Sequence, residues 1–214
     1  MILAPVPFSF DAADHSYRIG DVRVPSITQL LKMSGHVDDR YYTEESRQRG
    51  TAVHELTKDF DLGALTLPAL DSLHRGYVLG YIAACEALKP EWDQIEEPDV
   101  HPTFMFGGRP DRIGTVMGRK TVGEIKSGCK PSLADLVYTD NEGIEVRVRR
   151  FSNAHEVQTA LQAILVSWRV GLPPEQWQRL CIYVKRSGRF SVERHDNPRD
   201  FDEAYRILKE YASC

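Results

Sequence analysis

The chain has 214 residues, of which 42% are hydrophobic and 27% are charged, a composition typical of one water-soluble globular domain. It contains no run of the ~20 apolar residues that a membrane-spanning helix needs, and its four cysteines lack CxxC spacing. The cysteine pattern favours a reducing cytoplasm and argues against both a zinc site and an iron–sulfur cluster. The net charge of −4 is unusual for non-specific phosphate binding, although a local basic patch would serve that purpose.

The amino-terminal segment predicts a small β-structure followed by a short helix. Residues 8–24 (FSFDAADHSYRIGDVRV) alternate and turn, which favours a β-hairpin or meander. Residues 25–31 (PSITQLL) favour a helix capped by Ser26 or Thr28. The first residues carry neither a basic segment nor a long apolar stretch, so we expect no secretory signal.

A second helix is predicted within residues 38–61. One face is charged or polar, whereas the other is an apolar stripe that consists of Ala52, Val53, Leu56 and Phe60. Gly50 lies one turn before His54 on the same side, which leaves space above the imidazole. A lone histidine on a helix is more often a packing residue than a ligand, and helical spacing alone leaves both alternatives open.

Residues 68–88 predict a further amphipathic helix, and residues 92–106 predict entry into a β-sheet. Glu96 and Glu97 lie in this second segment. A solvated pair at a strand edge explains them at least as well as a role in a site. His101 has the same ambiguity, and we do not include it among the site residues.

Residues 107–128 (GGRPDRIGTVMGRKTVGEIKSG) predict a β-hairpin whose turn contains Gly118. Asp111 precedes the first arm and Glu124 lies near the end of the second, so antiparallel pairing brings the two carboxylates to the same end. Because side chains alternate along a strand, Glu124 and Lys126 share one face. Two carboxylates a few Å apart raise each other's pKa unless a cation lies between them. The hairpin therefore predicts a divalent metal site.

A second hairpin is predicted over residues 135–151, with its turn at residues 140–143. Arg147 and Arg149 share one face of its second arm. Such a cluster is usually a solvated face, but arginines close in sequence to the acidic pair would also suit a phosphate backbone.

Residues 154–170 predict a helix that is capped by Asn153 and stopped by the sequence GLPP. Gln158 and Gln162 lie one turn apart on it, and by themselves two glutamines indicate no function. The remaining sequence predicts two strands and a closing helix, over residues 179–185, 189–193 and 198–211.

The hairpin sequence resembles the motif of the PD-(D/E)XK nuclease superfamily. Pro110-Asp111 is followed by Glu124-Ile125-Lys126, in which the second acid stands thirteen positions after the first. This pattern is short and degenerate, so its weight depends on further segments that match in the same order.

Three such segments are present. Residues 49–55 (RGTAVHE) resemble the GxxxH(E) motif of the RecB-like branch, whose histidine is a metal ligand. Gln158 resembles the glutamine of the QxxxY motif, although Gln162 stands where tyrosine is usual, which leaves the role of Gln162 open. Residues 8–31 resemble the opening of phage-type members of the superfamily.

The resemblance covers about residues 45–185 and implies an α/β fold. The expected core is restriction-endonuclease-like, αβββαβ, with a central mixed sheet flanked by helices. Residues 1–214 would then form a single nuclease domain, with an amino-terminal β-hairpin and short helix over residues 1–35 and a closing strand and helix over residues 186–214.

The resemblance also implies a set of site residues. The implied catalytic residues are Asp111, Glu124, Lys126 and Gln158. One or two Mg²⁺ or Mn²⁺ ions would be held by His54, Asp111, Glu124 and the carbonyl of Ile125. Nucleic-acid contacts are expected from basic residues near the motif: Arg109, Arg112, Lys130, Arg147 and Arg149.

The implied function is a metal-dependent DNA exonuclease of phage-type recombination, replication or repair, located in a bacterial or phage-infected host cytoplasm. Expected partners are DNA, a single-strand-annealing or recombination protein, and further copies of the chain, but not a membrane. The alternatives are a structure-selective or sequence-specific endonuclease of the same fold, a DNA-binding or assembly module that has lost activity, and a metal-dependent hydrolase of another phosphoester.

Overall fold

A five-stranded mixed β-sheet forms the centre of the computed structural model, with strand order β12-β11-β8-β7-β4. The strands are β4 (Glu91–Ile95), β7 (Arg112–Val116), β8 (Arg119–Ser127), β11 (Gln178–Val184) and β12 (Phe190–Arg194). Strands β8 and β11 run parallel, whereas the other neighbouring pairs are antiparallel. The structure describes residues 6–37, 43–67, 70–128 and 154–212, together with the backbone of β9 (Asp135–Thr139) and β10 (Glu145–Arg149).

Helices cover both faces of this sheet. They are α1 (Ile27–Met33), α2 (Glu44–Asp61), α3 (Arg75–Leu88), α4 (Ala154–Val170) and α5 (Arg199–Ala212), with a 3-10 turn at Pro174–Gln176. Val122 of β8 packs in a cluster with residues of α1, α4 and α5, whereas Ile125 packs with Val53 of α2 and Tyr81 of α3. Alternate side chains of β8 therefore bury two separate cores. The predicted mixed α/β architecture with flanking helices is confirmed.

A three-stranded antiparallel meander precedes the sheet, formed by β1 (Phe8–Asp11), β2 (Ser16–Ile19) and β3 (Val22–Val24). Helix α1 follows it with a capping box, in which the Ser26 hydroxyl accepts a hydrogen bond from the Gln29 amide and the Gln29 side chain accepts one from the Ser26 amide. The predicted meander and the Ser26 cap are confirmed.

Two predicted segments differ from the structure. The helix predicted from residue 68 begins at Arg75, because the Asp71 carboxylate accepts hydrogen bonds from the amides of Leu73 and His74 and holds that stretch in a turn. The strand predicted over residues 92–106 divides in two.

Only β4 joins the central sheet from that stretch. The backbone of Glu96 has a φ of 52°, in the left-handed region, and the chain then leaves the sheet. Residues further on form a separate two-stranded ladder of β5 (Asp99–His101) and β6 (Phe106–Gly108).

The two predicted hairpins are present. Strands β7 and β8 are joined by Met117 and Gly118, whose φ values of 50° and 75° match a two-residue turn with both central residues left-handed. Strands β9 and β10 pair antiparallel. The turn predicted at residues 140–143 and the cap predicted at Asn153 lie outside the described residues. Strands β11 and β12 and helix α5 confirm the predicted closing elements. Among the described helices, none is long and apolar enough to pass through a lipid bilayer.

Candidate functional site

The β7–β8 hairpin places Asp111 beside Glu124. Arg112 pairs in register with Gly123, so the residue before Arg112 lies next to Glu124. The Oδ2 atom of Asp111 accepts a hydrogen bond of 2.7 Å from the backbone N–H of Ile125. Both carboxylates are buried, with 7% of Asp111 and 3% of Glu124 exposed. Two buried acids that lie side by side in the sheet require nearby positive charge.

Helix α2 supplies one such charge through His54. Val53 is fully buried under the sheet and fixes this turn of the helix, and the next residue turns its Nδ1 atom to within 3.3 Å of Asp111 Oδ1. The Asp111 carboxylate raises the pKa of His54 to about 10 against the opposing effect of burial. Burial in turn would raise the pKa of Asp111, but the His54 charge holds it below its usual value.

Glu96 belongs to the same group of side chains, although the sequence left its role open. Its Oε1 atom lies 3.6 Å from His54 Nδ1, and its side chain is only 7% exposed. Burial opposes its ionisation, yet the nearby His54 imidazole holds the pKa of Glu96 below its usual value. The left-handed backbone at Glu96, which no sequence pattern predicts, turns this carboxylate toward the site.

Lys126 supplies a second positive charge, on the same face of β8 as Glu124. Its Nζ atom lies 2.5 Å from Glu124 Oε1 and donates to Gln158 Oε1 at 3.2 Å. Burial disfavours the ammonium form, but the Glu124 and Asp111 carboxylates raise the pKa of Lys126 above its usual value. The lysine is therefore protonated and held in place.

Two glutamines of α4 complete the environment of Glu124. Gln158 Nε2 donates to Glu124 Oε1 at 2.6 Å, and Gln162 Nε2 donates to Glu124 Oε2 at 2.6 Å. Both oxygens of the carboxylate are thus held by α4. The one-turn spacing of the glutamines was the sequence signal for Gln162, but only the structure shows that it reaches the acid.

Six of these side chains line one wall of a cavity of about 480 Å³: His54, Asp111, Glu124, Lys126, Gln158 and Gln162. The facing wall comes from the amino-terminal meander and α1, through Asp14, His15, Tyr17, Gln29 and Lys32. The site therefore lies in a cleft between the sheet with its helices and the amino-terminal segment, a common position for a ligand site.

The five basic residues predicted to contact nucleic acid have different positions. Arg109 lines the cavity, with 37% of its side chain exposed. Arg112 is fully buried and its Nε atom donates to Asp61 Oδ2, so it cannot reach a substrate from there and is a structural residue. Lys130 and the side chains of Arg147 and Arg149 lie outside the described residues.

A divalent ion suits the donor set around Asp111, which offers carboxylate oxygens and one imidazole nitrogen. The buried Oε1 atom of Glu96 also lacks a hydrogen-bond partner among the described residues. However, the ligand atoms of Asp111, Glu124 and His54 do not all lie within 4.8 Å of one another. Both oxygens of Glu124 are engaged by Lys126 and the glutamines of α4.

A second group of possible ligands lies on the same side of the sheet. Glu156 of α4, Glu193 of β12 and His195 have ligand atoms that all lie within 4.8 Å of one another, and they could hold a metal ion. Within the described residues, no other three acids, histidines or cysteines bring their ligand atoms this close together. Burial lowers the pKa of His195. No sequence pattern indicated this group, because its members come from separate elements.

No protein-family model matches the chain, and no curated protein matches it. Solved structures that resemble it include that of a protein named "Putative exonuclease" from Eubacterium rectale, with 13% identity, coverage of 88% of this chain and 72% of that chain, and a TM-score of 0.48. Another is the structure of SSO0001, with 14% identity, coverage of 87% and 83%, and a TM-score of 0.34. Neither likeness carries functional information at these values.

Proposed function

We propose that the chain is a metal-dependent nuclease that hydrolyses phosphodiester bonds of DNA. The observation that supports this proposal is the meeting of two buried carboxylates, an imidazole and a half-buried lysine on one cavity wall. They come from α2 and the β7–β8 hairpin, and α4 adds the glutamines that hold Glu124. In this proposal, α2, the sheet strands, α4 and β11 correspond to the αβββαβ core of the PD-(D/E)XK nucleases.

Asp111, Glu124 and His54, with the carbonyl of Ile125, would hold one or two Mg²⁺ or Mn²⁺ ions. Carboxylate oxygens suit both cations, and one imidazole favours Mn²⁺ slightly. A bound ion would supply Lewis acidity toward the phosphate and the attacking water. Glu96 is a further candidate ligand, because its Oε1 atom lies 3.6 Å from His54.

Lys126 would act on the substrate directly. Its ammonium group is held by Glu124 Oε1 and Gln158 Oε1 at the cavity wall, where it would orient the attacking water and stabilise negative charge that develops on the phosphate. Gln158 would position Lys126, because its side-chain amide accepts a hydrogen bond from Lys126 and donates one to Glu124.

Among nucleases we favour an exonuclease of recombination, replication or repair, which would act in the cytoplasm. Residues of the meander and α1 line the same cavity as the acids. In this proposal the cavity receives a strand end of the DNA. A recombination protein and further copies of the chain are proposed partners.

The test is cleavage of end-labelled linear and circular DNA, single- and double-stranded, in the presence of Mg²⁺ or Mn²⁺. We expect Lys126→Ala to reduce cleavage at least a hundredfold, about 3 kcal/mol of transition-state stabilisation. The matched control is Lys120→Ala on the same strand, since Lys120 is exposed and pairs with Asp93 away from the cavity. Equal activity of both variants would refute the assignment of Lys126.

The product pattern separates the alternatives. Release of mononucleotides or short products from linear DNA alone supports an exonuclease, whereas cleavage of circles supports an endonuclease. Binding without cleavage supports an inactive DNA-binding module. Turnover of a small phosphoester without any effect of DNA supports a different hydrolase.

A further inference from the structure

A separate group of side chains lies beside the proposed catalytic site. Register places Glu193 opposite Cys181, which is itself opposite Glu124. The two glutamates therefore lie on the same face of the sheet, two strands apart, at roughly 10 Å between backbones. Glu156 lies in the first turn of α4, and its carboxylate lies close to that of Glu193. His195 is the first residue after β12.

The hydrogen bonds of His195 determine which ring nitrogen carries the proton. The Thr159 hydroxyl has one hydrogen, which it donates to the carbonyl oxygen of Glu156 at 3.0 Å. Its oxygen also lies 3.0 Å from His195 Nδ1 and must therefore accept the hydrogen of that nitrogen. In the neutral ring, the lone pair then lies on Nε2.

The Nε2 atom points into the carboxylate group. It lies 3.9 Å from Glu193 Oε2, and it has no hydrogen-bond partner among the described residues. His195 is only 6% exposed, so water does not replace that partner freely. A buried lone pair that faces a carboxylate is unfavourable unless a cation lies between them.

The neighbouring arginine is directed elsewhere. Arg179 is 2% exposed, and its guanidinium donates to the carbonyl oxygens of Glu156 and Asn197 and to the carboxylate of Asp200. The backbone N–H of His195 donates to the carbonyl oxygen of Arg179 at 2.9 Å, which fixes the position of the imidazole. The ring is thus oriented by two independent hydrogen bonds before any ligand binds.

We infer that Glu156, Glu193 and His195 form a second metal site, which binds a divalent transition-metal ion through the Nε2 atom of His195 and the two carboxylates. One imidazole with two carboxylates suits Zn²⁺, with Mn²⁺ weaker and Mg²⁺ weaker still, because imidazole and carboxylate ligands both bind zinc in proteins. The cysteine spacing that argued against zinc does not bear on this site, which contains no thiolate. The ion would link the start of α4 to the edge strand β12.

The experiment is a Zn²⁺ titration of the full chain after chelator treatment, followed by calorimetry and by thermal unfolding. We expect one Zn²⁺ per chain at this site and, at a hundred times the dissociation constant, a rise in Tm of about 5 °C or more. Glu193→Gln should weaken this binding at least tenfold and abolish the rise. Its side chain is 31% exposed, so the variant should fold even if His195→Gln does not.

Two control variants identify the site. Glu175→Gln changes an exposed glutamate in the 3-10 turn and should bind Zn²⁺ as the unchanged chain does. Asp111→Asn removes an acid of the proposed catalytic site and should retain the Zn²⁺ bound at Glu193. Zn²⁺ binding that survives Glu193→Gln, or that is lost only in Asp111→Asn, would overturn the inference. Neither outcome depends on nuclease activity.

Discussion

The buried ion pair between Arg112 and Asp61 provides the sharpest test of how the proposed site is supported. The guanidinium is fully buried, and its Nε atom lies 2.5 Å from Asp61 Oδ2. It also donates to the carbonyl oxygen of Asp111 at 2.7 Å. Tyr81 donates its hydroxyl hydrogen to the same Asp61 oxygen at 2.7 Å. The pair thus joins α2, α3 and the strand that carries the site.

Removal of either partner should lower the free energy of unfolding, but by different amounts. Asp61→Asn leaves a buried guanidinium that cannot lose its proton, so we expect the free energy of unfolding to fall by about 3–5 kcal/mol. Arg112→Met leaves a carboxyl group whose pKa burial raises, and which can take up a proton. That variant should lose less, about 2 kcal/mol, because Asp61 keeps its hydrogen bond from Tyr81.

Urea and thermal unfolding of both variants and of the double variant would measure these differences at pH 7. For a chain of this length, Asp61→Asn should lower Tm by roughly 10 °C. The double variant should resemble Arg112→Met, which gives a coupling energy of about 3–5 kcal/mol, equal to the loss in Asp61→Asn alone. Additive losses of stability in the double variant, or losses below about 1 kcal/mol in the single variants, would refute the conclusion that the Arg112–Asp61 pair stabilises the β7–β8 hairpin.

Three further outcomes are expected. Gly114→Ala places a Cβ atom 2.1 Å from the carbonyl oxygen of Glu91, so it should cost about 2 kcal/mol in urea unfolding. Burial lowers the pKa of His101 from 6.5 to about 4. The contribution of the neutral His101 to the free energy of unfolding is therefore complete above pH 6.5. It falls by about 2–3 kcal/mol as the pH falls toward 4, because the unfolded chain takes up the proton first. His101→Gln should therefore reduce the fall in urea midpoint between these pH values. Gln162→Leu removes one hydrogen bond from Glu124 and should slow single-turnover DNA cleavage about tenfold with circular dichroism unchanged; an unchanged rate would show that Gln162 does not position the acid.

Local sequence determined the hairpin on which the site is built. Two arms of β-branched residues and a Gly118 turn fix the register, and register alone brings Asp111 to Glu124. Strand alternation then places Lys126 on the face of Glu124. These relations involve neighbours in the chain or in one hairpin, so the sequence predicted them without knowledge of the rest of the fold.

Contacts between distant elements were decided by the tertiary structure. The sequence predicted that Arg112 contacts nucleic acid. In the structure its guanidinium is buried and paired with Asp61, which lies fifty-one positions earlier in the chain. Glu96 enters the site through a left-handed backbone that its residue type does not favour. The group at His195 exists only because Glu156 of α4 lies close to Glu193 of β12 and to His195. Periodicity predicts which face a residue occupies along its own element, whereas the group that it meets depends on how separate elements pack.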